Sequence, residues 1–398
     1  MLTVAEAVEQ LIQSAQPIVE ERHRSAVQRV PLLQSLGRVL SSDITAAVDV
    51  PPAANSAMDG YAFCVAEAEA NNWLLPVSQR IPAGSAPSSL AAGTAARIFT
   101  GGEIPRGADT VAMQEVCTEQ SGAVRIEGRF SAGDNLRPQG QDIQAGRVIL
   151  SAGHRLRPQE MGLLASVGID SVAVYKPLKV GIFSTGNELV DPGTPLQPGQ
   201  IYNSNRATLT GLIQSLGMEV VDLGSVPDRP EATEHILKKA AAQADIVLSA
   251  GGVSVGEEDH IKGAVEKIGR IEFWKLAIKP GKPLAFGSLL GKPFIGLPGN
   301  PASVFVTFMI LARPFLLACQ GSRHSSQLFV KAQAKFSKPG ETRELYLRGR
   351  LTAEGVEIHP NQSSGVLSSA CWGEVFVRQV SGVSIQQGDW VDVLPYQP

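Results

Sequence analysis

Three glycine-rich loops carry the residues of this chain best suited to chemistry, because each follows a short apolar run. They read FSTGNEL at 183 to 189, SAGGVSVGEEDH at 249 to 260 and GLPGNPAS at 296 to 303. Glycines let phosphate oxygens approach the main chain, and a helix N-terminus offers unpaired N–H groups. One such loop has an ordinary steric explanation, but three on one edge of a sheet predict a phosphate-binding crevice.

Carboxylates stand in or beside these loops. Glu188 lies in the first loop, Asp259 ends the second, and Asp228 precedes a predicted helix. Oxygen ligands beside phosphates are how proteins hold Mg²⁺, so these three acids are candidates for a magnesium site. For Asp228 and Asp259 the alternative is a helix N-cap, which stabilises a helix by ~1 kcal/mol.

Lysines flank a Pro-Gly turn in the segment FWKLAIKPGKPLAFG at 273 to 287. Lys275 and Lys279 are predicted to converge on an anion, and an anion ~4 Å from one lysine gains ~4 kcal/mol at an effective dielectric near 20. The alternative is a solvated cationic turn, which is the usual setting of lysine.

Three further loops lie in the first third of the chain. They read PPAANSAMDGYA at 51 to 62, FTGGEIPRGAD at 99 to 109 and RPQGQD at 137 to 142. A stiff, exposed loop that ends in an acid such as Asp59 suits contact with a ligand.

The elements that must position these loops are predicted from periodicity. From Lys179 onward, short apolar strands alternate with amphipathic helices, a pattern typical of a parallel sheet in an α/β domain. Strands are predicted at 179–184, 219–224, 245–251, 273–277, 283–287 and 293–298, and helices at 205–216, 230–242, 259–268 and 301–318. Asn205 is the predicted cap of the first of these helices, and Pro301 begins the last.

Four domains are predicted for the 398 residues. They are a discontinuous helical linker domain at 1–44 plus 146–178, a β-rich insert at 45–145, the α/β domain at 179–327 and a C-terminal β-barrel at 328–398. Thr3 and Glu6 form a predicted capping box for the first helix. A second helix at 157–168 is expected to pack on the first, and a hairpin across Ala145 and Gly146 is expected to end the insert.

Composition excludes several classes of protein. With 43% hydrophobic and 18% charged residues and a net charge of −3, the chain is predicted to be soluble and to bind neither nucleic acid nor membrane. Four scattered cysteines without a C-x-x-C pair predict reduced thiols and a cytoplasmic location. The longest apolar stretch, 303–319, is interrupted by Arg313 and Pro314 and is predicted to be a buried core helix.

Six motifs, in this order, resemble those of the molybdopterin molybdenumtransferases, the family that includes bacterial MoeA and the E domain of gephyrin. They are PPAANSAMDGYA, FTGGEIPRGADTV, FSTGNEL, SAGGVSVGEEDH, KPGKPLAFG and GLPGNPAS. The resemblance runs from the first helix to the last strand. It implies a central molybdopterin-binding domain related to the molybdopterin adenylyltransferases, and a homodimer whose active cleft joins this domain to the partner's insert.

The resemblance also implies a reaction. The substrate would be adenylated molybdopterin, whose phosphoanhydride is cleaved with Mg²⁺ as molybdate enters the dithiolene, giving molybdenum cofactor and AMP. A molybdopterin adenylyltransferase is the implied donor of the substrate.

The same resemblance implies roles for the residues of this chain that match the family's motifs. Six residues are predicted to be catalytic: Glu188, Asp228 and Asp259, which would hold metal and phosphates, and Asp59, Thr100 and Asp142, which would come from the partner's insert. The molybdate pocket would be formed by Lys275, Lys279 and Arg350 with Ser368 or Ser369. The other predicted binding residues are Gly186, Ser249, Gly251, Gly252, Ser254, Gly256, Pro280, Pro298, Asn300 and Pro301.

One position departs from the family, since Gly365 stands where a basic residue is expected after a serine pair. Two rival functions fit the motifs less well. An adenylyltransferase or nucleotide hydrolase would lack the insert and the barrel, and a non-catalytic scaffold would tolerate loss of acids that are all present here. Both alternatives are therefore less favoured than the transferase.

Overall fold

The computed structural model describes residues 2–253, 260–323 and 327–396. The chain begins with helix α1 (Val4–Ser25) and strands β1 (Val27–Pro31) and β2 (Ile44–Thr45). The predicted capping box is present, with the Thr3 N–H donating to Glu6 Oε2 at 2.8 Å and the Glu6 N–H donating to Thr3 Oγ1 at 3.2 Å. The buried face of α1, which includes Ala7 and Leu11, belongs to the core of the central domain.

The insert is a β-rich layer. Its elements are β3 (Asn55–Ser56), β4 (Gly60–Phe63), α2 (Val65–Ala70), β5 (Leu74–Ile81), β6 (Ala95–Ile98), β7 (Thr110–Met113), β8 (Cys117–Gln120), β9 (Ala123–Ile126) and β10 (Leu136–Arg137). Six of these strands form one sheet in the order β7-β4-β6-β5-β9-β8. Gly60 is required there, because a Cβ atom at this position would lie 1.8 Å from the Ala112 carbonyl oxygen.

The chain leaves the insert beside its point of entry. It continues through β11 (Val148–Leu150), α3 (Pro158–Ser166) and β12 (Ser171–Tyr175). Strand β11 pairs antiparallel with β2, and β12 pairs antiparallel with β1. The hairpin predicted across Ala145 and Gly146 is therefore wrong, since the residues after it pair with an earlier strand. Helix α3 begins at Pro158 as predicted, but its Leu164 lies in a separate apolar cluster from α1, so the predicted packing of the two helices is also wrong.

The central domain is an α/β sandwich. Its elements are β13 (Lys179–Thr185), β14 (Leu189–Val190), β15 (Ile201–Tyr202), α4 (Ser204–Ser215), β16 (Glu219–Val226), α5 (Pro230–Gln243), β17 (Ile246–Ala250), α6 (Ile261–Ile268), β18 (Gly269–Lys275), β19 (Ile278–Lys279), β20 (Pro283–Leu289), β21 (Lys292–Leu297), α7 (Pro301–Thr307) and α8 (Arg313–Cys319). The six-stranded sheet has the order β16-β13-β17-β21-β20-β18.

This sheet confirms the predicted α/β domain, and the predicted parallel arrangement holds for four of its six strands. Strands β16, β13, β17 and β21 are parallel, whereas β20 and β18 run antiparallel to their neighbours. The reason is local: only Leu290 and Gly291 connect β20 to β21, and both have positive φ. A two-residue turn of this kind joins antiparallel strands, because a parallel crossover needs about a dozen residues.

Two predicted helix caps are also corrected. The cap of α4 is Asn203, whose Oδ1 accepts from the Arg206 N–H at 3.1 Å, and Asn205 lies inside the first turn. Helix α5 begins at Pro230 with Arg229 in the cap position, so Asp228 is not its N-cap.

The last helix of the central domain runs from Pro301 to Cys319 and contains a π-helical turn at Phe308–Ala312. Pro314 has no N–H to bond the carbonyl four residues earlier, that of Ile310. The side chain of Gln327 replaces it, with Nε2 donating to the Met309 and Ile310 carbonyls at 3.0 and 2.8 Å. The helix is long and apolar enough to cross a bilayer. However, 89% of its apolar 18-residue stretch is buried inside the protein, which confirms the predicted core helix.

The C-terminal domain comprises β22 (Val330–Gln333), β23 (Glu344–Thr352), β24 (Gly355–Ile358), α9 (Ser368–Trp372), β25 (Val375–Gln379) and β26 (Trp390–Pro395). Pairing runs β24-β23-β25-β26-β22, and a bridge between Ala334 and Val356 joins the two ends. The predicted β-barrel is therefore confirmed. Strand β19 of the central domain pairs with β23, which links the two domains through main-chain hydrogen bonds.

Candidate active site

A cavity of about 790 Å³ lies between the central domain and the barrel. The central domain contributes the loop after β13, the start of α4, the Pro-Gly turn after β19 and the loop before α7, and the barrel contributes Arg343 and residues 362–364. Six predicted residues line it: Glu188, Lys279, Pro280, Pro298, Asn300 and Pro301. The crevice expected at the carboxyl ends of the parallel strands is thus present.

Two predicted glycines lie next to this cavity without lining it, since they follow Ala250 and pack against Thr185, which do line it. Gly251 and Gly252 have φ of +92° and +66°. A Cβ atom on Gly251 would lie 2.9 Å from the Thr185 carbonyl oxygen, and one on Gly252 would lie 2.6 Å from Ile261 Cδ1. Only glycine therefore lets this loop turn beneath Thr185, which itself lines the cavity. Ser249, just before this turn, is completely buried.

The carboxylate of Glu188 lies against Gly186. Gly186 has φ of +155°, and a Cβ atom there would be 2.7 Å from Glu188 Oε2. Within the described residues, Glu188 receives no side-chain hydrogen bond or ion pair. A carboxylate on a cavity wall without a cationic partner is suited to a hard metal ion.

The other two predicted metal ligands are placed less directly. The Asp228 N–H donates to Asn187 Oδ1 at 3.2 Å, which brings its loop beside that of Glu188, but Asp228 does not line the cavity. Asp259, with Ser254 and Gly256, lies outside the described residues. The described part of the chain contains no cluster of three His, Cys, Asp or Glu side chains that could hold a metal.

Two cations face the main cavity. Lys279 Nζ lies 2.9 Å from both carboxylate oxygens of Glu341, and this lysine lowers the pKa of Glu341. Arg343 donates from Nη1 to the Ile278 carbonyl at 3.2 Å. Lys275 does not line the cavity. Of the two lysines predicted around the Pro-Gly turn, only Lys279 is brought to the site.

A side cavity of about 310 Å³ shares Lys279, Pro280, Gln362 and Ser363 with the main one. Its wall also contains Lys338 and Arg348. Arg348 is only 1% exposed, and its Nε donates to Ser369 Oγ at 2.9 Å while Nη2 donates to the Ser363 carbonyl at 3.0 Å.

Arg348 was not predicted from the sequence. Burial lowers its pKa, yet a guanidinium keeps its proton in proteins. No described carboxylate lies within 4.0 Å of it. A buried guanidinium that is held only by neutral acceptors on a cavity wall is chemically suited to an anion.

Three predicted members of the molybdate pocket lie elsewhere. Arg350, two residues further along β23, bonds to Glu357 and stacks 4.7 Å from the ring centre of Trp372. Ser368 is exposed at the start of α9 and lines neither cavity. Ser369 is buried, and its hydroxyl receives the Arg348 hydrogen bond behind the cavity wall.

The predicted residues of the insert do not line the cavity of their own chain. The structure brings two of them together, because Asp59 Oδ1 accepts from both the N–H and the hydroxyl of Thr100 at 2.7 Å. These bonds lower the pKa of Asp59, so its carboxylate is ionised at neutral pH. The Asp142 side chain is exposed, and its N–H donates to the Val50 carbonyl at 2.9 Å.

Comparison with known proteins accounts for the whole architecture. Three family models match: the MoeA N-terminal region (domain I and II) at 2–168, a probable molybdopterin binding domain at 181–318 and the MoeA C-terminal region (domain IV) at 330–396.

Individual relatives agree with these matches. The chain is 43% identical to a molybdopterin molybdenumtransferase of Haemophilus influenzae over 73% of its own length and 72% of that protein. It is 38% identical to one from Synechococcus elongatus, over 86% of this chain and 88% of the relative. The crystal structure of a molybdopterin biosynthesis MoeA protein from Pyrococcus horikoshii superimposes over the full length of both chains, with a TM-score of 0.84 at 27% identity. The chain therefore belongs to the molybdopterin molybdenumtransferase family.

Proposed function

We propose that this transferase inserts molybdate into adenylated molybdopterin, with Mg²⁺-dependent release of AMP. The observation that carries the proposal is the pair of joined cavities, one with an unpaired carboxylate and glycine turns, the other with a buried guanidinium. The substrate combines a heterocycle, a phosphoanhydride and an incoming oxyanion. The two cavities offer groups of matching chemistry for each part.

Glu188 is the residue best placed to hold magnesium. Its carboxylate has no cationic partner among the described residues, and it lines the main cavity. Asp228, in the neighbouring loop, and Asp259 are proposed as the other carboxylate ligands. When bound there, Mg²⁺ would neutralise the phosphate charge that develops as AMP leaves.

The side cavity is proposed to receive molybdate. Lys279, Lys338 and Arg348 line it together with the carboxylate of Glu341, which is paired with Lys279. Each cation ~4 Å from one negative charge contributes up to ~4 kcal/mol at an effective dielectric near 20, before the cost of dehydrating the oxyanion. Molybdate can therefore be held beside the dithiolene by charge and hydrogen bonding, without a covalent bond to the protein.

A second copy of the chain is proposed to complete the site. Asp59, Thr100 and Asp142 lie in the insert, away from the cavity of their own chain. In a homodimer the partner's insert would bring these three to the central domain. The proposed setting is the cytoplasm, with a molybdopterin adenylyltransferase as substrate donor and no role for nucleic acid or membrane.

Molybdate-dependent release of AMP tests this function. Purified protein is mixed with adenylated molybdopterin and Mg²⁺, with and without molybdate, and AMP is quantified by chromatography. We expect rapid AMP release only when molybdate is added to the Mg²⁺-containing mixture, with molybdenum found on the pterin product. Equal release without molybdate would identify a nucleotide hydrolase and refute the proposal.

A further inference from the structure

Two buried polar atoms on the wall of the main cavity lack a hydrogen-bond partner among the described residues. They are Thr185 Oγ1 and Asn205 Oδ1, and their residues are only 7% and 8% exposed. An unpaired buried polar atom costs on the order of 1 to 3 kcal/mol, so proteins retain such atoms where a ligand completes them. Ser249 Oγ also has no partner among the described residues, but Ser249 does not line the cavity.

The orientation of the Asn205 amide is fixed. Its Nδ2 donates to the Gly299 carbonyl at 2.7 Å, and a carbonyl oxygen can only accept. Oδ1 therefore remains as a pure acceptor at the start of α4. The helix does not use it, because Asn203 provides the cap. The amide nitrogen of Asn205 thus has a structural role, because it holds the Gly299 loop. The amide oxygen has no such role.

This wall of the cavity has the wrong polarity for a phosphate. An amide oxygen repels an anion and attracts an N–H or O–H donor. The cations of the same cavity, Lys279 and Arg343, come instead from β19 and the barrel. The cavity therefore has two kinds of wall. The wall with Lys279 and Arg343 is suited to an anion, and the wall with Thr185 and Asn205 is suited to a hydrogen-bond donor.

We infer that Asn205 and Thr185 form a subsite for the N–H-bearing edge of a planar amino-heterocycle of the substrate. The inference rests on the proposed function and deepens it. Asn205 Oδ1 accepts from an exocyclic amino group or a ring N–H, and the Thr185 hydroxyl pairs with a neighbouring polar atom of the ring. Both the pterin and the adenine of adenylated molybdopterin present such an amino group, so the two sources are separated by experiment.

The test compares the affinities of Asn205→Ala and Thr185→Val with those of the native protein. Adenylated molybdopterin, AMP and molybdate alone are titrated separately by calorimetry. A neutral hydrogen bond corresponds to a factor of about 3 to 10 in affinity, so each variant should bind adenylated molybdopterin that much more weakly. Affinity for molybdate alone should be unchanged. If AMP is weakened by the same factor the subsite holds adenine, and if AMP is unaffected it holds the pterin.

Controls separate binding from folding. Thr185→Val removes a hydroxyl that no described residue bonds, so its melting temperature should equal or exceed that of the native protein. Thr210→Val is the matched control on α4, because the Thr210 hydroxyl bonds only within the helix, to the Arg206 carbonyl at 2.8 Å. It should leave all three affinities unchanged.

Two outcomes overturn the inference while leaving the proposed function intact. One is molybdate-dependent AMP release by the native protein together with native affinity in both Asn205→Ala and Thr185→Val. The other is an equal loss for adenylated molybdopterin and for molybdate alone, which would show a general structural defect. Failure of the native protein to release AMP would instead contradict the proposed function itself.

Discussion

Replacing Arg348 by methionine should selectively abolish molybdate binding. The guanidinium is 1% exposed, is held by two neutral acceptors and has no described carboxylate within 4.0 Å, while Glu341, the carboxylate on the same cavity wall, is paired with Lys279. Removing one partner of a buried charged pair costs about 2 to 5 kcal/mol. At 1.4 kcal/mol per factor of ten, the dissociation constant for molybdate should rise by at least about 30-fold.

The fold should survive this change. Methionine fills much of the same volume, and removing the dehydration cost of a buried charge offsets the hydrogen bonds that are lost. Ser369 Oγ keeps its own hydrogen bond to the Val366 carbonyl at 2.6 Å when Arg348 is removed. We therefore expect a shift in unfolding free energy of about 1 kcal/mol or less.

Arg350→Met is the matched control, because Arg350 lies on the same strand two residues further on. Its guanidinium is engaged by Glu357 and Trp372 outside both cavities. Calorimetry tests whether Arg348 binds molybdate. Each variant is titrated with molybdate and, separately, with AMP. We expect Arg350→Met to bind molybdate normally and both variants to bind AMP within about threefold of the native protein. Near-native molybdate affinity in Arg348→Met, or an equal loss in Arg350→Met, would refute the assignment.

Three further changes test other parts of the structure. Gln327→Leu should lower the free energy of unfolding by about 2 to 4 kcal/mol in denaturant titrations, because two buried carbonyls of the last central helix lose their donor. Gly186→Ala should reduce AMP release by about 10- to 100-fold, because its Cβ would lie 2.7 Å from Glu188 Oε2 and displace that carboxylate. Hydrogen bonds from Arg157 lower the pKa of Glu160 from 4.5 to about 2, so this stabilisation is complete above pH 4.5 and is lost as the pH falls towards 2. Glu160→Gln should therefore be less stable by about 1 to 3 kcal/mol at pH 7 and show a shallower loss of stability in acid.

Each of these changes has its own contradicting result. A Gln327→Leu protein as stable as the native one would show that water replaces the amide. Gly193→Ala is the control for Gly186→Ala, since φ at Gly193 is also positive, at +98°, but no atom lies within 4 Å of the added Cβ. Equal loss of AMP release in both would implicate backbone strain instead of Glu188. An unaltered acid slope in thermal melts of Glu160→Gln would place the acid sensitivity elsewhere.

Local signals in the sequence predict much of the fold. The Thr3 capping box and the prolines at 158 and 301 mark helix starts correctly, because each satisfies or avoids a backbone N–H within a few residues. The barrel strands follow from alternation and turn residues. Strand direction is harder to predict from the sequence, because the antiparallel pairing of β20 and β21 depends on a two-residue turn inside an otherwise regular α/β pattern.

Site residues in the loops can be predicted from sequence motifs. Site residues in a strand are harder to predict, because their position in the strand decides what they contact. Glu188, Lys279 and Asn300 lie in recognisable motifs and do line the cavity. Arg348 and Arg350 cannot be told apart by spacing, because they occupy the same face of one strand. Their surroundings differ. Arg348 lies beside the cavity and Ser369, whereas Arg350 contacts Glu357 and Trp372. Such neighbours come from distant parts of the chain.

The joint between the central domain and the barrel fixes the distance between the chemical groups of the site. The Glu344 N–H donates to the Ala277 carbonyl at 3.1 Å, and the Ala302 N–H donates to the Ser364 carbonyl at 2.9 Å. The barrel thus bonds to the strand that carries Lys279 and to the helix that follows Asn300. Because both cavity walls are tied by main-chain hydrogen bonds, anion and heterocycle would meet groups already in place, and little binding energy is lost to ordering them. These bonds do not extend to the partner's insert of the proposed homodimer, so docking of that insert would be the step that excludes water from the phosphoanhydride.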